Sequence, residues 1–173
     1  LQARLFTTET DLYVGVTVPE PKMLEIRTRL APGRSGDCWQ DDVLEFFIDF
    51  GRTTRFFGQW DLSAGGTYCT WQLGAPPAFL TGRAEALPAF AARRSAAAYT
   101  AEMRIPLASL AYQGSLASLV ANANLRRLRW LSPAMSAEPL MQGAQAEQRC
   151  NISWSKSDGS GHNPLGFNFL RFE

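Results

Sequence analysis

The chain contains one histidine, His162, and three cysteines, Cys38, Cys69 and Cys150, none of them in a C-x-x-C pair. A single imidazole excludes a histidine metal cluster, and the cysteine spacing gives neither a zinc site nor a disulfide framework, although one bridge stays open. Cys69 shares a strand face with Thr67, Trp71 and Leu73, which reads as a buried thiol acting as a small hydrophobe. No apolar run reaches the roughly 18 residues that a bilayer-spanning helix needs. An excess of charge of one sign is missing too, with 17 basic against 16 acidic residues. Phosphate backbones are bound by clustered Lys and Arg, so this balance argues against a nucleic-acid partner. Arg126, Arg127 and Arg129 form one basic group and Arg93 with Arg94 another. Neither is interleaved with the aromatics that single-strand binding requires, and both read as solvated faces. G-x-S-x-G, Walker, G-x-G-x-x-G and H-E-x-x-H patterns are all absent.

What is present is short apolar alternation. Leu12, Val14, Val16 and Val18 recur with period two, as do Leu44 to Phe50 and again Tyr99, Ala101, Met103 and Ile105. Each run stops near Gly, Pro, Asn or Asp, which predicts an all-β chain of two packed antiparallel sheets, a β-sandwich with short helical turns in its loops. Pro19-Glu20-Pro21 ends the first run, 31–37 reads as a loop, Ala64-Gly65-Gly66 as a hairpin turn, and 106–110 as one helical turn. Segments 74–98 and 131–148 show little periodicity; the first reads as a long loop plus part of a strand, and 134–146 as room for a short helix. A length of 173 residues fits one domain, 1–173. The chain opens at Leu1 without an initiator Met, so a missing N-terminal strand or leader is expected.

Segment 38–49, C-W-Q-D-D-V-L-E-F-F-I-D, concentrates chemistry. As an extended strand it places Leu44, Phe46, Ile48 and Phe50 on one side and Trp39, Asp41, Val43, Glu45 and Phe47 on the other. An indole beside carboxylates suits a pyranose, which offers a flat C–H face and a rim of hydroxyl groups. The same pattern also fits ordinary packing of a Trp and solvated acids in a turn. Asn122, Asn124 and Arg126 alternate with Leu119, Ala121, Ala123 and Leu125, giving either a second row of hydroxyl-reading groups or a solvated outer face. Asp41, Asp42 and Glu45 also raise glycoside hydrolysis, but carboxylates on one strand face approach a sugar from the same side.

The Trp, acidic pair and V-E-x-F-x-D strand of this segment resemble the signature of family 9 carbohydrate-binding modules and the wider CBM9-like group. Residues 11–18, the aromatic strand 56–63, the strand 99–107 ending in Ile-Pro, and the terminal blocks Ile152-Ser153-Trp154-Ser155, His162-Asn163-Pro164 and 167–173 follow in the family's order. The resemblance implies a non-catalytic β-sandwich that binds a mono- or oligosaccharide, extracellular, cell-surface or periplasmic, in the company of other domains of a larger secreted protein. It assigns Trp39 as the stacking ring and Glu45 as the hydroxyl acceptor; Asn124 and Arg126 from the alternating row, and His162 from the terminal loop, are expected to complete the rim. Two departures stand out. Where sugar-binding members supply a second aromatic plate, this chain has Gly161 and His162, and Asp61 stands where they place a basic residue. The family also suggests a structural calcium ion, for which Asp11, Asp37 and Asp49 lie near strand ends. Two other readings stay open: a haem-binding relative, with His162 and Met103, Met135 or Met141 as axial ligands, and a degenerate spacer or interaction module.

Overall fold

Period-two apolarity buries one face of a strand, and in a computed structural model of the chain two sheets are built on that rule. The structure describes residues 1–52, 56–74, 78–80, 88–109, 120–130, 149–154, 165 and 168–171. The strands are β1 (Gln2–Thr7), β2 (Asp11–Pro19), β3 (Gly33–Arg34), β4 (Val43–Asp49), β5 (Phe56–Ser63), β6 (Thr67–Gly74), β7 (Ala78–Leu80), β8 (Ala89–Arg94), β9 (Ala98–Pro106), β10 (Val120–Trp130), β11 (Arg149–Ser153) and β12 (Asn168–Arg171). The first sheet has the order β1-β2-β9-β8; the second runs β11-β10-β4-β5-β6-β3, with β12 on β10 and β7 on β6. Every pairing is antiparallel except β3 with β6. This is the predicted sandwich. No helix among the described residues is long and apolar enough to cross a membrane.

The core lies between the sheets. Leu12 to Val18 of β2 and Tyr99 to Ile105 of β9 meet Leu44, Phe46 and Ile48 of β4, Trp60 of β5 and Leu125 of β10. Full burial of each large apolar side chain contributes about 1.5–3 kcal/mol, and the Phe46 and Trp60 rings, 6.3 Å apart, add an aromatic contact. Met103 is 1% exposed inside this core. An axial haem ligand has to face an open cavity, so Met103 is removed from that role; His162, Met135 and Met141 lie outside the described residues.

The turn at Ala64 to Gly66 joins β5 to β6, and a 3-10 turn follows β9 at Leu107–Ser109, both where the sequence places them. Segment 74–98 holds more strand than its composition suggests, namely β7 and β8. Ala-rich sequence has weak strand preference, and edge pairing to β6 and β9 supplies what propensity does not. The 131–148 segment and its short helix lie outside the described residues.

The basic cluster on β10 is not solvated. Arg126, Arg127 and Arg129 are all buried, because each meets a carboxylate: Glu45 for Arg126, Glu20 for Arg127, and both Glu20 (3.1 Å) and Asp42 (3.0 Å) for Arg129. Buried guanidinium groups persist only when paired in this way.

Candidate functional site

The second sheet differs from the first in being buried on both faces of β4 and along nearly all of β10. On its outer face register builds a polar row across four strands: Arg126 stands opposite Glu45, Glu45 opposite Asp61, and Asp61 opposite Cys69. The neighbouring row reads Asn124, Phe47, Gln59 and Trp71. At about 4.8 Å between strands, each row spans roughly 14 Å.

Charge within the first row is tightly organised. Arg126 Nε donates to Glu45 Oε2, and the two residues are 5% and 3% exposed. Gln59 Nε2 donates to both oxygens of Asp61, at 3.0 and 2.9 Å. Burial, together with the like charge of Glu45, pushes the Asp61 carboxyl well above the usual carboxylate range, against the opposing effects of Gln59 and Arg126.

Cys69 is not a free thiol. It is bonded to Cys38, and its Sγ lies 3.2 Å from Asp61 Oδ2. The bridge ties the 3-10 turn Cys38–Gln40 onto the outer face of β6. Trp39, the middle residue of that turn, is therefore not part of a strand. Backbone bonds from Gln40 N to Asp37 O (2.8 Å) and from Asp41 N to Cys38 O (3.1 Å) close the turn, and Trp130 Nε1 donates to Trp39 O at 3.2 Å. Arg27 lies over the Trp130 ring, 4.0 Å from its centroid. Trp39 itself is 44% exposed.

The acidic pair after Trp39 turns inward instead of lining a ligand face. Asp41 accepts from Arg29 N (2.7 Å) and Leu30 N (3.2 Å), and Asp42 from Arg27 N, Trp130 N and Arg129 Nη1. Both are fully buried, and burial raises the Asp42 carboxyl despite Arg129. A loop whose backbone N–H groups have no sheet partner needs such acceptors, which is why two carboxylates occur here. With Glu45 committed to Arg126, these three acids do not form a pair facing a common gap.

Of the five expected rim residues, Trp39, Glu45, Asn124 and Arg126 all belong to this end and face of the second sheet, but only Trp39 is exposed; His162 lies outside the described residues. Gln59 and Trp71 also face this surface. Period two along β5 and β6, counted from Asp61 and Cys69, already puts them there. Among the described residues, Cys38, Asp61 and Cys69 are the one group of three whose metal-ligating atoms converge, and the two sulfurs are bonded to each other. Asp11, Asp37 and Asp49 do not gather; Asp11 instead accepts from Thr10 Oγ1 at 2.7 Å and lies 3.8 Å from Arg104 Nε.

No protein-family model matches the sequence, and no curated protein matches it. Solved structures do. A family 9 carbohydrate-binding module from Caldicellulosiruptor kristjanssonii in complex with glucose superposes with a TM-score of 0.64 at 13% identity, over 99% of this chain and 75% of that one. The same organism's module in complex with cellotriose gives 0.65 at 13%, over 98% and 72%. A protein of Bacteroides uniformis, described as a candidate carbohydrate-binding protein, gives 0.71 at 16%, over 99% and 77%. These likenesses establish a CBM9-like fold.

Proposed function

We propose that this domain is a non-catalytic module that binds a saccharide at the outer face of its second sheet. The observation that carries the reading is the exposed Trp39, on a turn that a disulfide pins to the end of a row of buried polar groups. Such a ring offers a flat apolar plate to a pyranose, and the turn that carries it is anchored before the ligand arrives, so its backbone needs little ordering on binding. Glu45 and Arg126, paired with each other and nearly closed to water, are assigned the floor beneath the sugar. Asn124 continues that floor, and His162 is assigned to the rim. The structural neighbours that bind glucose and cellotriose support the ligand class. The Cys38–Cys69 bond supports an oxidising location, extracellular, cell-surface or periplasmic, since such bonds rarely persist in reducing compartments.

Calorimetric titration with glucose and cellotriose tests this, comparing the wild-type domain with Trp39→Ala. Loss of one stacking plate, about 1 kcal/mol, is expected to weaken binding roughly fivefold or more. Binding that survives Trp39→Ala unchanged removes the site from this surface.

A further inference from the structure

The outer face of the first sheet carries a groove that the site above does not use. Its volume is about 460 Å³, and it continues into a second hollow of about 240 Å³ that shares Arg4, Gly15 and Glu102 with it. Register explains the shape. Arg4 stands opposite Gly15, and Gly15 opposite Glu102, so the row across β1, β2 and β9 has no side chain at its centre. The next row is Phe6, Tyr13 and Arg104. Phe6 and Tyr13 lie 5.5 Å apart between ring centroids, and Phe6 is 62% exposed. A notch floored by backbone is thus flanked by guanidinium and carboxylate groups and walled by two aromatic rings.

Gly15 is not demanded by the fold. A Cβ there would meet nothing closer than the Arg4 carbonyl oxygen at 4.0 Å, and its backbone is not in the left-handed region. Glycine weakens a strand interior and there commonly marks a close approach by a ligand or another backbone. Among the described residues, no backbone fills that space.

We propose that this groove is a second saccharide-binding site, taking a linear oligosaccharide laid across β1, β2 and β9. The chemistry selects that occupant. The ligand has to be narrow enough to enter a glycine notch, present a flat C–H face to the Phe6–Tyr13 wall, and carry hydroxyl groups for Arg4, Glu102 and Arg104. A second copy of the domain packed on this sheet would instead desolvate those three charges, which is costly without matched partners. The volume falls in the usual range for small-ligand sites.

The test is calorimetry and NMR shift mapping with linear β-1,4-linked oligomers of glucose, xylose and mannose, on the wild type, Trp39→Ala, Gly15→Val and Phe6→Ala. Valine suits a strand and fills the notch without touching the other sheet. The expected result is that at least one oligomer shifts Gly15, Tyr13 and Glu102 amides in both the wild type and Trp39→Ala. Gly15→Val and Phe6→Ala each weaken that event about tenfold, a change of roughly 1.4 kcal/mol, while leaving the response at Trp39 intact. Phe6→Ala, at an exposed position, keeps the test alive if Gly15→Val does not fold. The proposal is overturned if no oligomer shifts the groove amides, if Gly15→Val and Phe6→Ala leave affinity unchanged, or if the face proves to be a dimer contact dispersed by Gly15→Val in sedimentation. Loss of all binding in Trp39→Ala overturns this inference alone, and loss confined to the groove variants overturns the Trp39 site alone.

Discussion

Glu45 on β4 and Arg126 on β10 stand directly opposite each other and share a hydrogen bond from Nε to Oε2 in a place nearly closed to water. Removing one partner of such a pair leaves an uncompensated buried charge, at a cost of about 3–5 kcal/mol, whereas replacing both by apolar residues is far milder. Arg126→Leu is therefore expected to be severely destabilised, and Glu45→Leu combined with Arg126→Leu to regain much of that loss. Urea unfolding of Arg126→Leu, Glu45→Leu and the double variant in a double-mutant cycle measures it; additive costs would show that the pair is not coupled.

The Cys38–Cys69 bond closes a loop across a sequence separation of 31 residues. Cross-links of this kind contribute about 2–4 kcal/mol, mainly by restricting the unfolded chain. Cys38→Ser with Cys69→Ser is expected to lower the unfolding midpoint accordingly and to lower saccharide affinity, because the turn bearing Trp39 loses its anchor. If the unfolding free energy drops while affinity holds, the bridge supports the fold but does not position the indole.

Asp61 sets a sign for pH dependence. Its carboxyl is raised by burial and by Glu45, so between the unfolded value of 3.8 and the higher folded value the native state keeps a proton that the unfolded chain has lost. Stability from this group therefore falls as pH rises through that window. Asp42, also raised by burial, acts in the same direction, whereas Glu20 is net lowered: burial pushes it up, but the Arg127 hydrogen bond and other partners outweigh that, so its contribution is lost as pH falls through its folded value. Asp61→Asn keeps a partner for Gln59 and is expected to flatten the predicted decline in denaturant midpoints above about pH 4. An unchanged slope would place the proton elsewhere.

Two strand glycines should respond in opposite ways to alanine. A Cβ on Gly58 would come within 2.0 Å of the Trp60 ring in the core, whereas one on Gly15 meets only open groove. Overpacking of this kind costs about 1–3 kcal/mol, while Gly15→Ala is expected to be neutral or slightly stabilising. Thermal melts of the two variants give the comparison directly.

Alternation alone specified the sandwich: Leu12 to Val18, Leu44 to Phe50 and Tyr99 to Ile105 bury the residues that period two assigns to the core, because a pleated strand has only two faces and water selects between them. That rule says nothing about the face left over. Whether Glu45 meets solvent or Arg126, and whether Asp41 and Asp42 address a ligand or the backbone at Arg27, Arg29 and Leu30, depends on partners from 11 to 88 residues away. The Cys38 to Cys69 bond, the exposure of Trp39 and the notch at Gly15 were likewise decided by how strands line up across the sheets. Side-chain direction is local, being fixed by the backbone of each strand, but proximity across a sheet follows from register, which is set by chain segments distant in sequence.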